Sequence, residues 1–252
     1  ESTNMNRVRG YTKKDLDKNK ALALGKFIES MGLSTTIAAI DNYLDASEEA
    51  IDAIASSDVI FGCTDDMLGR DILNQSLYYY GLAYIDIGMS GFVDKDMKSS
   101  PYLRVQKGRV SCILPEFGAC LRCQTVVDDE KLRAEQFFKD NPDKRDIDPE
   151  TLEKEYYIVG GGVNSPGIGP FTSATADFAV ATLMNLVKEY RRYPPDIRKD
   201  NIWVDFVNLS IHSNEPIDSP DCPYCRRREI LLKDEGKYRL EMPLLGEVTN
   251  LL

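Results

Sequence analysis

The chain has 252 residues, enough to bury the hydrophobic core of one α/β domain of ordinary size. Its formal charge is −10, which argues against nucleic acid or an anionic membrane surface as a partner, because both favour a basic patch. No apolar run approaches the roughly 20 residues that span a bilayer, and no signal-peptide pattern opens the chain. We therefore expect a cytoplasmic protein, in which the six cysteines are thiols or metal ligands and not disulfides.

The first part of the chain alternates helices with apolar strands. The apolar residues over 18–32 have helical spacing and end at Gly32, a suitable C-terminal cap. The segments "DVIFGC" and "LAYIDIG" are continuous apolar runs, typical of parallel sheets with both faces covered. The predicted elements in chain order are a helix over 18–32, a strand over 34–44, a helix over 46–57, a strand over 58–63, a helix over 69–81 and a strand over 82–88. This alternation predicts an α/β fold with a doubly wound, mostly parallel sheet.

The pattern changes at Gly91, after which an antiparallel extension of the sheet is predicted. The later elements are antiparallel strands over 91–115, two helices over 128–140 and 148–156, a long helix over 171–193 and a strand-rich segment over 200–214. The residues assigned to the apolar face of the long helix are Phe178, Leu183, Leu186 and Val187.

Two cysteine pairs with metal-ligand spacing lie about a hundred residues apart. Cys120 and Cys123 form "CLRC", and Cys222 and Cys225 form "CPYC". The preferred interpretation is one structural zinc site made from both pairs, which requires the fold to bring them together. Two alternatives stay open. "CPYC" is also the active-site sequence of glutaredoxins, so a redox dithiol is possible in principle, and the thiols could be unrelated to one another.

A second candidate site is the segment "CTDD", which follows the predicted strand over 58–63. Ligands of doubly wound sheets lie beyond the carboxyl ends of the strands, where Asp65 could hold Mg²⁺ and Arg70 could meet a phosphate. The same residues also fit a structural interpretation, with Asp65 as the N-cap of the next helix and Arg70 in an internal salt bridge. The local sequence does not decide between the two.

An ordered set of motifs runs along the chain: "ESTNMNRV", "DLDKNKA", "CTDD" with Arg70 and Asn74, a CxxC, a glycine-containing segment that enters a long helix, and a second CxxC. This order resembles the ubiquitin-activating-enzyme superfamily and its bacterial ThiF/MoeB/HesA-type adenylyltransferases. The matching residues are Glu1, Thr3, Asn4, Asn6, Arg7, Asp15, Lys20, Ala21, Cys63, Thr64, Asp65, Arg70 and Asn74, besides both cysteine pairs. The departures are Asp17 in place of a glycine, Asp66 in place of an asparagine, and a glycine-rich phosphate loop that is not in this sequence.

The resemblance implies a site for ATP and Mg²⁺ at which the C-terminal carboxylate of a ubiquitin-like protein, a sulfur-carrier protein or a peptide is adenylated. Arg7, Lys20 and Asp65 would be catalytic, with Asp65 helping to hold the magnesium. The residues expected to contact the cofactors are Thr3, Asn4, Asn6, Arg7, Lys20, Asp65, Asp66 and Arg70. The resemblance further implies Zn²⁺ on Cys120, Cys123, Cys222 and Cys225, and a homodimer.

The resemblance also implies a Rossmann-like fold with a zinc-clipped C-terminal part. We expect one domain over 1–252, with a nucleotide-binding part over about 1–90 and an antiparallel, crossover and zinc part over about 91–252. Because the chain opens at Glu1 in what resembles the interior of a domain, we also expect residues upstream of it.

Two features favour a rival hypothesis, a non-catalytic zinc-bearing scaffold or regulatory subunit of the same fold. The glycine-rich loop is not in the sequence, and the segment 124–156 has no cysteine to form a thioester. Outside the two pairs only Cys63 and Cys112 remain, and we expect both to be buried and unreactive. A dinucleotide-dependent oxidoreductase is a weaker alternative, since residues for hydride chemistry are not visible.

Overall fold

The centre of the fold is a five-stranded mixed sheet in which the strands lie side by side in chain order. The computed structural model describes residues 8–95, 101–116, 118–144, 147, 151, 167–191 and 201–227. The strands are β1 (Val59–Gly62), β2 (Ala83–Lys95), β3 (Pro101–Ile113), β4 (Asn201–Asp205) and β5 (Ser210–Asn214). β1 and β2 are parallel, whereas β2 to β5 pair in antiparallel fashion. The α/β class and the antiparallel extension are thereby confirmed, and β1–β2 is the parallel pair of the described residues.

Five α-helices accompany these strands in the described residues. They are α1 (Lys20–Ser30), α2 (Glu48–Ala55), α3 (Met67–Tyr80), α4 (Asp129–Asp140) and α5 (Gly169–Val187). The predicted helices over 18–32, 46–57, 69–81 and 128–140 are confirmed, whereas the helix predicted over 148–156 lies outside the described residues except for residue 151. None of the helices described could serve as a transmembrane span.

The strand predicted over 34–44 is wrong. Residues 35–41 form neither helix nor strand, and Leu44–Ala46 form a short 3₁₀ helix. The segment packs on α1 instead: a Cβ atom placed on Gly25 would lie 3.3 Å from both Ala39 Cβ and Ile37 Cγ2. β-branched residues favour extended backbone, but a strand also needs a neighbouring strand to pair with, and sequence pattern alone does not supply that information.

The two faces of the sheet are covered by different helices. α3 packs Leu77 and Tyr78 against Tyr84 on one face, and α5 packs Ala179 against Ile85 on the other. The predicted double cover is therefore confirmed. Because helices cover both faces, most of β1, the first half of β2 and the second half of β3 are shielded from water, and polar groups that emerge at the end of β1 stand at the rim of an apolar core.

The long helix differs from its prediction in two ways. Its buried face consists of Thr175, Ala179 and Thr182, while Leu186 and Val187, which were assigned to the apolar face, are exposed. A Cβ on Gly108 of β3 would overlap the side chain of Thr175, so small side chains let this helix approach the sheet closely. The helix also ends at Val187 and does not continue to residue 193.

The end of α5 has a local cause. The side-chain oxygen of Asn185 accepts hydrogen bonds from the backbone N–H groups of Tyr190, at 3.1 Å, and Arg191, at 2.8 Å. These bonds turn the chain back on the helix, and the Tyr190 hydroxyl donates to the carbonyl of Ala181 at 3.0 Å. An asparagine side chain can satisfy backbone donors in this way in place of continued helix.

Candidate active site and metal centre

The segment 63–66 lies at the carboxyl end of the parallel strand pair. β1 ends at Gly62, which is paired with Asp86 of β2, and α3 begins at Met67. A Cβ on Gly62 would overlap the hydroxyl of Tyr84, so this close approach at the strand end requires glycine. The position of the segment agrees with the general location of ligand sites in doubly wound sheets.

The N-cap of α3 is Asp66 and not Asp65. Asp66 Oδ2 accepts a hydrogen bond from the N–H of Gly69 at 2.7 Å. The N–H groups of Met67 and Leu68 donate to one carboxylate oxygen of Glu135, on α4, at 2.9 and 2.8 Å. The structural interpretation of Asp65 as the cap is therefore wrong, because its neighbour performs that role and a distant glutamate completes it.

Asp65 itself is exposed, and within the described residues its carboxylate has neither a hydrogen-bond nor an ion-pair partner. The residues on either side of it are committed to the fold: β1 ends three residues before it, and Asp66 caps α3 immediately after it. The backbone of Asp65 is thus held between two fixed elements, while its carboxylate oxygens stay available to a ligand.

Arg70 is held in a buried charge cluster with Asp86 and Arg109. Arg70 Nε lies 3.3 Å from Asp86 Oδ1, and its terminal nitrogen donates to the carbonyl of Ile87 at 3.3 Å. Arg109 pairs with the other oxygen of Asp86, and the Tyr84 hydroxyl donates to Asp86 at 2.9 Å. The internal salt bridge that the sequence allowed for Arg70 is confirmed.

This cluster brings two guanidinium groups to one carboxylate. The side chain of Asp86 is fully buried, and those of Arg70 and Arg109 are 11% and 6% exposed. Burial lowers the pKa of Arg109, and the charge of Asp86 acts against that change. Taken with Asp86, the two arginines leave one surplus positive charge within this buried cluster, which partly offsets the carboxylates of Asp66 and Glu135 at the start of α3.

Lys20 is the first residue of α1 and is exposed. The side chain of Asn19 caps the helix by accepting hydrogen bonds from the N–H groups of Ala21 and Leu22, at 2.8 and 3.2 Å. The ammonium group of Lys20 therefore stands at a helix N-terminus, where anions are favoured. The other expected nucleotide contacts in the first motif, Thr3, Asn4, Asn6 and Arg7, lie outside the described residues.

The two cysteines outside the CxxC pairs differ in exposure. Cys112 is buried in β3, as expected, but Cys63 is exposed, which corrects the expectation that both are buried. The surrounding protein nevertheless raises the pKa of the Cys63 thiol by desolvation, the charge of Asp86 adds to this effect and that of Arg70 opposes it. A raised pKa disfavours the thiolate, which is the nucleophilic form.

The four paired cysteines converge. The sulfur atoms of Cys120 and Cys222 are 3.6 Å apart, as are those of Cys123 and Cys225, and all four sulfurs lie within 4.8 Å of one another. A tetrahedral zinc site with Zn–S bonds of about 2.3 Å separates its sulfurs by about 3.8 Å, whereas a disulfide requires about 2.05 Å. The geometry therefore fits a four-thiolate metal site, and it does not fit a pair of disulfides.

The metal-site residues are joined to the rest of the fold by Arg122, which lies between the first two cysteines. Arg122 donates to both carboxylate oxygens of Asp71 on α3, each at 2.8 Å, and to Asp129 at the start of α4 at 2.7 Å. Its guanidinium also lies over the ring of Tyr224, 5.2 Å from the centroid. Since Tyr224 separates the second pair of cysteines, one arginine connects both pairs to two helices.

The protonation of the four thiols is uneven. Hydrogen bonding from Cys120 lowers the pKa of Cys225 to about 5, while burial raises the pKa of Cys123 to about 12. Like charges this close oppose one another, so the four thiols do not all ionise without a cation among them. A bound metal ion changes that balance, because thiolates are its ligands and their protons are released.

Sequence reasoning missed Glu135 and the Asp86–Arg109 pair. Glu135 comes from a helix that lies 68 residues beyond its partners, and nothing in its local pattern distinguishes it from other surface glutamates. Asp86 and Arg109 sit within apolar strands, where a charged residue is unusual, and that contrast with the surrounding sequence is the signal that could have drawn attention to them.

Comparisons with known proteins agree with this fold. Several solved structures of MccB from E. coli share the fold: the complex with ATP has a TM-score of 0.61 at 15% identity, covering 89% of this chain and 56% of that one. MccB with MccA-N7isoASN also has a TM-score of 0.61, at 17% identity, with 90% and 57% covered. PaaA has a TM-score of 0.54 at 16% identity, with 86% and 61% covered.

The chain thus spans less than two thirds of the length of these solved proteins. A search among curated proteins gave no match. The model of the ThiF family, in contrast, matches residues 1–224, which include every motif named above except the last residue of the second cysteine pair. The chain therefore belongs to the ThiF family.

Proposed function

We propose that this chain catalyses the ATP-dependent adenylation of the C-terminal carboxylate of a peptide or protein, with release of pyrophosphate. Membership of the ThiF family supports the reaction class. Among the structures that share its fold, one is MccB with ATP and another is the microcin C7 biosynthetic enzyme MccB with N-formylated MccA. Both complexes are consistent with a nucleotide and a peptide or protein as the two substrates.

The observation that carries this proposal is the state of Asp65. Its carboxylate is exposed at the carboxyl end of β1 and has no partner among the described residues, while Asp66 and Glu135 satisfy the neighbouring amides. Mg²⁺ is bound in proteins through one or two carboxylates together with substrate phosphates. Asp65 has the chemistry, the exposure and the fixed position for that role.

In the reaction, an oxygen of the substrate carboxylate attacks the α-phosphorus of ATP. The new C–O–P linkage forms as the bond between the α-phosphorus and the bridging oxygen of pyrophosphate breaks, so that acyl-adenylate and pyrophosphate are the products. Negative charge grows on the phosphoryl oxygens, and the assigned roles of Arg7 and Lys20 are to stabilise it. Asp65 would hold Mg²⁺, which would supply further charge stabilisation and assist the leaving group.

The buried cluster beneath the site has a supporting role. Asp86 holds Arg70 and Arg109, and Arg70 lies on α3 four residues after Asp66. The surplus positive charge of this cluster partly offsets the carboxylates of Asp65, Asp66 and Glu135 near the end of β1, which would otherwise repel a polyphosphate. Because both arginines are anchored, they contribute without reorganising during the reaction.

The second part of the proposal concerns the metal. We assign Zn²⁺ to Cys120, Cys123, Cys222 and Cys225 as a structural ion, since all four positions are filled by sulfur and no position is open for a substrate. Three of the four cysteines are buried within a hydrophobic cluster that includes Leu121 and Tyr78. The ion would fasten the returning chain to α3 and add to the free energy of folding.

The finer assignments also remain proposals. The substrate is a ubiquitin-like protein, a sulfur-carrier protein or a peptide with a free C-terminal carboxylate, and the complexes of MccB with MccA support a peptide or protein of this kind. We further propose a homodimer in the cytoplasm. Thioester formation is not part of the proposal, because the pKa of Cys63 is raised.

The test is exchange of labelled pyrophosphate into ATP by the full-length protein. Synthetic peptides with free C-terminal carboxylates are compared with the same peptides amidated at the C-terminus, with Mg²⁺ present and absent. The proposal expects Mg²⁺-dependent exchange with free carboxylates only, and its loss in Asp65→Ala. Full exchange by Asp65→Ala, or equal exchange with amidated peptides, would overturn it, and absence of any Mg²⁺-dependent ATP binding would favour the scaffold hypothesis.

A further inference from the structure

The first backbone amides of α3 are hydrogen-bonded in an unusual way. The N–H groups of Met67 and Leu68 both donate to Oε2 of Glu135, and the N–H of Gly69 donates to Asp66. Helix N-termini leave their first amides without intrahelical partners and carry partial positive charge. Here two of these amides are satisfied by one oxygen of a carboxylate that belongs to another helix, α4.

The second observation is how α4 is held. Of its residues only Ala134 is buried, Leu132 packs against the main hydrophobic cluster, and charged contacts hold the helix near both ends. Asp129 at its start pairs with Arg122 at 2.7 Å, and Lys139 near its end pairs with Asp45 at 3.2 Å. Glu135 lies between these two contacts, so the helix is fixed on both sides of it and its carboxylate is held in place against α3.

The third observation is where this contact lies. Met67 is two residues after Asp65. In the part of the chain that the structure describes, the hydrogen bonds to Glu135 are the contacts that anchor this stretch to α4. A first turn whose amides are paired is ordered, and the chain entering it is ordered with it. Loss of the carboxylate would leave two backbone donors to water and let the turn fray.

We propose that Glu135 is a positioning residue for adenylation: by holding the amides of Met67 and Leu68 it fixes the segment 63–66 and thereby the direction of the Asp65 carboxylate. The inference rests on the proposed function, in which Asp65 holds Mg²⁺. Without Glu135, ordering of the segment has to accompany metal binding, and its free-energy cost lowers the apparent affinity for Mg²⁺.

A cap that only stabilises the fold makes a different prediction. It would lower the melting temperature when removed but leave the Mg²⁺ requirement of the folded molecules unchanged. A positioning role raises the Mg²⁺ concentration at half-maximal activity in molecules that are fully folded. The two roles are therefore separated by a Mg²⁺ titration carried out well below the melting temperature.

The experiment compares Glu135→Ala and Glu135→Gln with Glu130→Ala, in which the same charge is removed from an exposed position on the same helix. Pyrophosphate exchange is titrated with Mg²⁺ at saturating ATP. We expect Glu135→Ala to raise the half-saturating Mg²⁺ concentration about tenfold, in line with loss of charge-assisted hydrogen bonds. Glu135→Gln keeps an acceptor oxygen and should restore most of the affinity, and Glu130→Ala should match the wild type.

Chemical rescue adds a sharper readout. Added acetate should lower the Mg²⁺ requirement of Glu135→Ala, because it can occupy the vacated amides, whereas chloride at equal ionic strength should not. Hydrogen–deuterium exchange without nucleotide should show faster exchange over 63–69 in Glu135→Ala than in Glu130→Ala. This last measurement does not depend on activity.

The outcomes separate the two proposals. An active wild type with an unchanged Mg²⁺ requirement in Glu135→Ala overturns the positioning role alone, as does unchanged hydrogen exchange over 63–69. A wild type that shows no exchange activity with any peptide overturns the proposed function, and with it the catalytic meaning of Glu135, while the hydrogen-exchange result still shows whether Glu135 orders the segment.

Discussion

Arg122 offers the most direct test of how the four-cysteine cluster is joined to α3 and α4. In Arg122→Ala the carboxylate of Asp71 loses two hydrogen bonds of 2.8 Å and keeps one from the side chain of Gln75, at 3.0 Å. The Asp71 side chain is 8% exposed and that of Arg122 is 25% exposed, so the pair is shielded from water but not fully buried.

The magnitude follows from these contacts. Removing one partner of a buried ion pair costs about 3–5 kcal/mol, because the remaining charge stays in a poorly solvated site. Partial exposure of Arg122 and the remaining bond from Gln75 reduce that cost, while the pair with the exposed Asp129 adds at most about 0.5 kcal/mol. Loss of the contact with the Tyr224 ring adds about 0.5–1 kcal/mol. We expect a total decrease of about 2–4 kcal/mol in the free energy of unfolding.

The assay is urea unfolding of the zinc-loaded protein, followed by circular dichroism, for Arg122→Ala, Asp71→Ala and the double variant. The double variant should lose at least about 1 kcal/mol less than the sum of the single variants. Asp129→Ala is the matched control and should cost at most about 0.5 kcal/mol. The reasoning would be refuted if Arg122→Ala cost less than about 1 kcal/mol, or if the costs of the two single variants simply added. Either result would show that the contact of Arg122 with Asp71 does not hold the cysteine cluster to α3.

Three further predictions concern other features. Asp17 has a φ of 63°, in the left-handed region that favours glycine. Asp17→Gly should therefore raise the free energy of unfolding by about 0.5–1 kcal/mol, and Asp17→Ala should lower it by a similar amount. Thermal unfolding measures both, and the opposite order would contradict the left-handed geometry. Cys222→Ser should reduce bound zinc, measured by atomic absorption, from one ion per chain and lower the melting temperature; full occupancy would contradict the four-thiolate site. Hydrogen bonds from Asn208 lower the pKa of Asp205 below 3.8, so its contribution to stability is present above that pH and is lost as the pH falls through the lower, folded-state value. Asp205→Asn should therefore flatten the decline of stability in acid, and an unchanged decline would argue against this contribution.

Local signals predicted much of the fold because they act over short distances. Gly81 has a φ of 73° and ends α3, as its sequence context predicts, and the continuous apolar runs become β1 and the buried part of β2. Convergence of the cysteines followed from spacing plus the need for four ligands. Each of these features depends on residues whose preference is strong and nearly independent of the rest of the chain.

The features that sequence missed depend on partners far along the chain. The N-cap of α3 is Asp66 and not Asp65, and a sequence pattern does not locate the first residue of a helix to within one position. The buried face of α5 uses Thr175 and Ala179 because Gly108 allows a close approach. Phe178 and Leu183 pack against the core as predicted, whereas Leu186 and Val187 do not. Exposure of Cys63 likewise depends on how the end of β1 meets its neighbours.

Asp65 and Asp66 are neighbours, but we expect their removal to affect stability differently. Asp66 supports α3, so its removal should cost about 0.5–2 kcal/mol of stability, whereas Asp65 has no partner in the described residues and its removal should cost little. A loss of ligand binding in Asp65→Ala therefore cannot be attributed to unfolding if the melting temperature is unchanged.

The measurement that tests the central claim most directly is calorimetric titration of the full-length protein with ATP, with and without Mg²⁺. Wild type is compared with Asp65→Ala and with Asp177→Ala, which removes an exposed carboxylate from α5 on the opposite face of the sheet. We predict Mg²⁺-dependent binding in the wild type and in Asp177→Ala, and its loss in Asp65→Ala at an unchanged melting temperature. Binding of Mg²⁺ and ATP by Asp65→Ala with wild-type affinity would contradict the account.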